Sequence, residues 1–501
     1  MQQLSGADNV SLFAERRNVY NHVGALMVYD VTTAPGGKVR FKDILHHFDE
    51  RLYLHPLFRR RLVQVPLGLD RPYWLTDPNL DVEYHIRHIA LPRPGDWRQL
   101  MIQVARLHSR PLNRAHPLWE AYVIEGLDSI PKLPPGAFAV FLKIHHAVVD
   151  GLATVHLLRE LHTSAPDEAP GAARPQAVVG ERDPSNFELL ARSLNNNRVK
   201  AARLVRLSAG LGTRLLAAGR EEWPALARGE TASITGRLAS LLPPVAPVTR
   251  FSAQVSRNRV MEAFGMPLSR IARIRSKVPG ATINDVFVAV AGGAARNYLE
   301  GKGELPEASL SALMPISLRS DASAGGNEVA GVAVRVRSDI RDPIERLRAV
   351  RGETLASKAQ AEKMGLDLLK NLFDVLPPFA VNGLLEKVIL PGINMAVSNV
   401  RGPDRPMYLA GARAMCLYPA SIPADGAGLN FTGVSYNGVM WVSMVSCRSM
   451  VPDPGVMLDC MRESWEELLA AADALPVPTG PPRQGARRGG TRRAGGGVAK
   501  R

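Results

Sequence analysis

The chain has only three cysteines in 501 residues, Cys416, Cys447 and Cys460, and no two of them stand at CxxC spacing. That excludes a disulfide-stapled scaffold and a cysteine zinc site, and reads as buried apolar thiols in a reducing compartment. Long apolar runs are also missing. A membrane-spanning helix needs roughly 18 apolar residues in a row, but the run Val286 to Ala295 is closed by Asp285 and Arg296. The opening MQQLSGADNVSLFAERR has no apolar signal-peptide core, so the expected location is cytoplasmic. There is no HExxH metal pair, no GxSxG nucleophile elbow and no phosphate-cradling P-loop.

What is present is ordinary globular material, 46% hydrophobic and 22% charged, long enough for roughly two to four domain-sized units. The net charge is +15. Seven of those charges lie in the tail after Leu475, where Arg483, Arg487, Arg488, Arg492, Arg493, Lys500 and Arg501 stand among Gly and Pro with no acid. A tail this poor in apolar side chains cannot offset its ordering entropy by burial, so disorder is expected there. Basic tails attract anionic lipid or nucleic acid without specificity, and no specific nucleic-acid partner is implied.

The patterning divides the chain into 1–165, a linker over 166–245, a second unit over 246–470 and the tail 471–501. In the first unit, Val23 to Val28 is a short apolar run, and Trp97, Leu100, Met101, Val104 and Leu107 recur at helical spacing. Ala137 to Ile144 follows Pro134-Pro135-Gly136 and predicts a buried strand. In the linker, Leu190, Leu194, Ala201, Leu204, Val205, Leu211 and Leu215 predict a helix from Glu188 to about Arg220. Arginines and Lys200 interleave with them, the pattern of a helix that lies on an anionic membrane or shows a solvated basic face. In the second unit, Asn284 or Asp285 is the expected N-cap of an apolar helix. Met395 to Val400 and Val439 to Val445 predict strands, and Leu458 to Ala470 a closing helix.

The sharpest local signal is His145-His146-Ala-Val-Val-Asp150-Gly151, where the strand ends and a helix marked by Leu152, Val155, Leu158 and Leu161 begins. An imidazole there titrates near neutral pH and can take a proton from a hydroxyl. Asp150 can cap the helix or orient its neighbours, and Gly151 leaves room for a tight turn or a substrate. Adjacent histidines can equally be plain core or surface residues. As metal ligands they are poorly placed, because neighbours at a strand end point to opposite faces.

Taken together, the HHxxxDG motif and further blocks resemble the bacterial wax ester synthase/diacylglycerol acyltransferase family. The blocks are Leu4-Ser5 with Asp8, His22-Val23-Gly24-Ala25, Arg59-Arg60-Arg61-Leu62, Asp81 to His88, Pro111 to Arg114, and Pro117-Leu118-Trp119-Glu120. The second half adds Asn284-Asp285, Pro315 to Arg319 with Gly326-Asn327, and Ser398-Asn399-Val400 with Gly402-Pro403. HHxxxDG alone is shared more widely, with condensation domains and other CoA-dependent acyltransferases. Asn113 stands where the family more often has Asp, and FSAQV at 251–255 replaces its usual Asn-containing turn.

The resemblance implies an α+β fold of two lobes, each a mixed sheet with helices, and a tunnel between them. It implies transfer of a long-chain acyl group from acyl-CoA, as co-substrate rather than bound cofactor, to diacylglycerol or a long-chain alcohol. His146 would be the base, His145 a supporting residue, Asp150 and Gly151 structural, and Asn284 a donor to the oxyanion. Asp285, Pro117, Leu118, Trp119, Ser398 and Asn399 would bind substrate or support the site; no metal is implied. Trp119 also reads as core, and Ser398 and Asn399 as the close of a turn before Gly402. The apolar stretch 364–397 would line the tunnel, touch a membrane or simply fill the core. Peripheral contact with a membrane or lipid droplet follows from an oily product. Two rival functions remain: a condensation-type enzyme with a carrier-bound donor, and a non-catalytic lipid-binding protein.

Overall fold

Period-two and period-3.6 patterning is realised as two mixed sheets, each backed by helices, in a computed structural model that describes residues 1–15, 18–149, 151–168, 180–203, 206, 245–317, 329–364 and 390–476. The first half contributes β1 (Gln2–Gln3), β2 (His22–Asp30), β3 (Arg60–Val63), β4 (Tyr73–Thr76), β5 (Ile86–Ala90), β6 (Trp119–Glu125) and β7 (Phe138–His145). Its helices are α1 (Gly6–Phe13), α2 (Phe41–Asp49), α3 (Val82–His85), α4 (Trp97–His108) and α5 (Gly151–Glu160). A further helix, α6, spans 186–203.

The second half contributes β8 (Arg259–Pro267), β9 (Ser311–Ser317), β10 (Val329–Arg335), β11 (Met395–Val400), β12 (Tyr408–Leu409), β13 (Ala412–Ala420), β14 (Leu429–Tyr436) and β15 (Val439–Cys447). Its helices are α7 (Leu268–Lys277), α8 (Ile283–Gly301), α9 (Pro343–Met364) and α10 (Pro454–Ala474). The strands expected near residues 23, 137, 395 and 439 and the helices expected near 97, 152 and 458 are all present.

One six-stranded sheet runs β12-β13-β2-β7-β6-β5 and the other β10-β9-β11-β14-β15-β8. Each combines antiparallel and parallel pairs. All eight residues of β7 are buried, which is why its sequence reads as a continuous apolar run rather than an alternation. The exception in that run, Lys143, is fully buried beside Glu120 at 3.1 Å, and its ammonium donates to the carbonyls of Leu107 and Arg110 at 3.2 and 3.0 Å. A buried ammonium tolerates this only because a carboxylate and two carbonyls replace its water.

The lobes are fastened by chain crossing and by packing. β13, from the second half, pairs along its length with β2 of the first, Ala420 opposite Gly24 and Leu417 opposite Met27. An apolar cluster unites Leu100, Val104 and Phe141 of the first lobe with Met261, Ala263 and Val445 of the second. The Trp97 indole donates to Glu262 at 3.0 Å across the same seam.

One local expectation is corrected. Neither Asn284 nor Asp285 caps α8. Thr282 does, accepting from the Asp285 amide at 3.1 Å, while the Asp285 carboxylate accepts back from the Thr282 amide at 2.9 Å. Asp285 is therefore the third helical residue of a reciprocal capping box. In the linker, Ser185 and Glu188 form the same device ahead of α6. Leu189, Asn196 and Lys200 face the small sheet β1-β4-β3. The expected continuation to Arg220, most of the apolar stretch 364–397 and the basic tail beyond Pro476 lie outside the described residues.

Burial holds His47, His108 and His162 neutral, with pKa values pushed down to about 4, about 3 and about 3. The unfolded chain takes up those protons near pH 6.5, so it binds more protons than the folded chain below that pH. Stability present at neutrality is thus lost as pH falls from about 6.5 towards 3. The thermal unfolding midpoint at pH 5 should lie several degrees below that at pH 7, and a smaller drop is expected in His162→Gln. Equal midpoints at both pH values would refute the assignment.

Candidate active site

The site grows from the end of β7. Here the backbone stops pairing in the ladder and is caught by two other segments. The His145 amide donates to the Leu118 carbonyl at 3.0 Å, and the His146 amide donates to the Asn21 carbonyl at 2.7 Å. A turn follows at once, the Val148 amide donating to the His145 carbonyl at 3.0 Å. Ala147 and Val149 are buried, whereas His146 and Val148 are half-buried. The alternation anchors every second side chain in the core and leaves the His146 ring partly accessible.

His145 serves as an internal brace. It is buried, and its Nδ1 accepts from the Ala147 amide at 3.0 Å, so that nitrogen cannot carry the proton. The proton of the neutral ring then sits on Nε2, which lies 3.2 Å from the Glu15 carboxylate. Glu15 also accepts from the Asn21 amide at 2.9 Å and pairs with Arg114. Burial alone would raise the Glu15 pKa, but His145, Arg114 and the Asn21 amide outweigh it and hold the carboxyl below its ordinary value. Nδ1 of His145 is thus committed to the Ala147 amide, and Nε2 faces the Glu15 carboxylate.

Glu15, Asn21 and Arg114 were not singled out from the sequence. Glu15 stands in Ala14-Glu15-Arg16-Arg17, which looks like a solvated charge run, and its partner Arg114 is 99 residues away. The available signal was that Arg114 belongs to a block otherwise rich in turn residues.

The expected support residues divide by lobe. Pro117, Leu118 and Trp119 are buried beside the turn, with Leu118 supplying the carbonyl that holds His145. Trp119 is core: its indole donates to the Phe58 carbonyl at 3.0 Å, and its ring stacks on His85 at 4.4 Å between centroids. Asp150 lies outside the described residues, and Gly151 opens α5.

On the other lobe, Asn284 is half-buried in the first turn of α8. Asp285 turns inward, accepting from the Thr354 hydroxyl of α9 at 2.8 Å. Ser398 and Asn399 are half-buried within β11, opposite Thr432 and Gly433 of β14. They do not close a turn, because the strand runs on to Val400. Gly402 follows where a Cβ would meet the Ser435 carbonyl at 2.2 Å, so only glycine lets these backbones approach.

Residues 4–287 match the wax ester synthase/diacylglycerol acyltransferase catalytic domain, and residues 325–469 match the C-terminal domain of the same proteins. Two Mycobacterium tuberculosis proteins, each named provisionally as a diacylglycerol O-acyltransferase, are similar throughout. One is 32% identical over 95% of this chain and 92% of the relative, the other 33% over 93% and 99%. Among solved structures, a wax ester synthase/diacylglycerol acyltransferase from Marinobacter aquaeolei superposes with a TM-score of 0.65 and 26% identity, covering 94% of this chain and 100% of that one. The first condensation domain of a calcium-dependent antibiotic synthetase shares the fold at 15% identity, with a TM-score of 0.55 over 95% and 99% of the two chains.

Glu15→Ala should lower kcat/KM by about 10²-fold, the scale of a positioning loss of about 1 Å, with the circular-dichroism spectrum retained. Glu15→Gln keeps an acceptor for His145 and should retain more turnover. Wild-type rates in Glu15→Ala would show that the brace does not position the turn.

Proposed function

The chain belongs to the wax ester synthase/diacylglycerol acyltransferase family, and on that premise we propose that it moves a long-chain acyl group from acyl-CoA to a lipid alcohol, foremost diacylglycerol, with His146 as general base. The observation that carries this reading is the half-buried His146 ring on a turn whose backbone and neighbouring imidazole are both tied down. A base that must accept a proton on each turnover gains from such fixing, because orientation is settled before the substrate arrives.

The chemistry follows from that ring. His146 takes the proton of the acceptor hydroxyl as its oxygen attacks the thioester carbonyl. The carbonyl electrons move to oxygen, and Asn284 is our candidate donor to that oxyanion. Collapse expels the CoA thiolate, which recovers the proton from His146, so the ring ends as it began. His145 is a poor substitute, since it is buried and its Nδ1 accepts from the Ala147 amide. Ser398 and Asn399, half-buried on the same lobe as Asn284, are candidates for substrate contact.

Peripheral contact with a membrane or lipid inclusion is part of the proposal. α6 turns Leu189, Asn196 and Lys200 towards the small sheet and leaves Phe187 80% and Leu194 66% exposed, beside exposed Arg192, Arg198 and Arg203. Apolar tips flanked by cations are what an anionic bilayer surface receives. The cytoplasmic face of the inner membrane, or an inclusion in contact with it, fits this surface.

General-base catalysis is worth roughly 10²–10⁴-fold, so His146→Ala should lose at least about 10²-fold in ester formation while remaining folded. The assay offers radiolabelled palmitoyl-CoA, without any carrier protein, together with diacylglycerol and hexadecanol and separates the esters. Unchanged turnover in the variant would remove His146 as base; absence of either ester from the wild type would remove the donor assignment. Separately, a Phe187→Asp, Leu194→Asp double variant should lose binding to phosphatidylglycerol vesicles but retain turnover in detergent. Undiminished vesicle binding would sink the docking role of α6.

A further inference from the structure

A cavity of about 530 Å³ opens at the C-terminal end of α5, lined on one side by Arg51, Arg159 and His162 and on the other by Arg405 and Met407, from the second-half segment that enters the first sheet at β12. Its charge is unevenly committed. Arg51 spends one nitrogen on the carbonyls of Glu160 and His162, at 3.2 and 3.3 Å. Arg159 and Arg405 are exposed, and neither has a carboxylate partner among the described residues. The two acids at the rim are already engaged. Glu168 accepts from the amide and hydroxyl of Ser164, and Asp404 pairs with Arg401 at 2.9 Å. His162 adds no charge, because burial keeps it neutral. The cavity therefore gathers three guanidinium groups from both halves of the chain against two rim carboxylates, an excess of positive charge in groups that can grip phosphate oxygens in pairs.

We propose that this cavity holds the phosphate-bearing nucleotide end of the acyl-CoA donor. The inference rests on the reading of acyl-CoA as donor and adds where its anionic end is held. Reach supports it. α5 starts at Gly151, just beyond the His146 turn, and ends at Glu160 beside the cavity. Ten helical residues span about 15 Å. The arm of CoA from its diphosphate to its sulfur has about the chain length of four extended residues, roughly 13–14 Å. Phosphates anchored at the far end of α5 would bring the thioester to its near end, where His146 stands.

The test compares two donors on the Arg159→Ala, Arg405→Ala double variant of the full chain: palmitoyl-CoA, and the palmitoyl thioester of N-acetylcysteamine, which lacks the nucleotide and every phosphate. The KM ratio of palmitoyl-CoA to the truncated donor should rise about tenfold relative to wild type, the scale of losing charged hydrogen bonds at an open site. Adenosine 3′,5′-bisphosphate should compete with palmitoyl-CoA in the wild type and compete poorly in the variant. An unchanged ratio overturns the proposal. So does loss of phosphatidylglycerol-vesicle binding with an unchanged ratio, which would assign the arginines to lipid headgroups. In either case a wild type that esterifies from palmitoyl-CoA leaves the donor reading standing. A wild type that accepts the truncated donor and refuses palmitoyl-CoA overturns both.

Discussion

The proposed chemistry depends on one backbone turn. At the end of β7 the chain must leave a fully buried strand, expose one imidazole and return to the core within a few residues. Amides of His145 and His146 are caught by carbonyls from two different segments, at Leu118 and Asn21, and this fixes the turn from both sides. The His145 ring closes it from within by accepting from Ala147. Glu15 then secures that ring and, through Asn21, the segment that holds His146. One half-buried carboxylate thus supports both histidines, and His145, Arg114 and the Asn21 amide hold its pKa down against partial burial.

The two sheets place this turn where a second lobe can face it. The lobes are not independent packages, because β13 leaves the second half of the chain to pair with β2. The pairing ties the register of the first sheet to the second half, and the shared apolar cluster around Phe141 and Met261 fills the seam. Asn284, Ser398 and Asn399 belong to the second lobe and His146 to the first, so in the proposed mechanism base and hydrogen-bond donors come from different lobes. Preorganised donors of this kind act at the moment charge develops, without rearranging.

Charge is sorted by depth. Buried cations keep polar partners in place of water: Lys143 pairs with Glu120, Arg259 donates to the carbonyls of Ser256 and Asn18, and Arg346 donates to those of Ile340 and Arg341. Arg159 and Arg405 at the cavity and Arg192, Arg198 and Arg203 on α6 lie at the surface. There water tolerates them until an anion arrives. Both groups suit the anionic molecules that a lipid-esterifying enzyme meets, a phosphorylated donor and a charged bilayer.

By itself, the sequence determined the local elements and supplied the candidate for the reacting residue. Continuous apolar character announced β7, helical spacing announced α4 and α5, and the HHxxxDG run at their junction pointed to His146, because these signals depend only on near neighbours. The N-cap of α8 was misjudged by a few residues: Thr282, Asn284 and Asp285 all have capping side chains, and only backbone geometry selects among them. What the tertiary structure alone decided is long-range. Glu15 reads as one charge in a solvated run until folding sets it, half-buried, against His145 and Arg114. β13 reads as one more second-half strand until it pairs with β2. Arg159 and Arg405 share a cavity only because the second-half segment at β12 pairs beside Thr163 at the end of α5. Partners far apart in the chain leave no periodicity and no spacing to read, and their meeting is set by how the sheets pack.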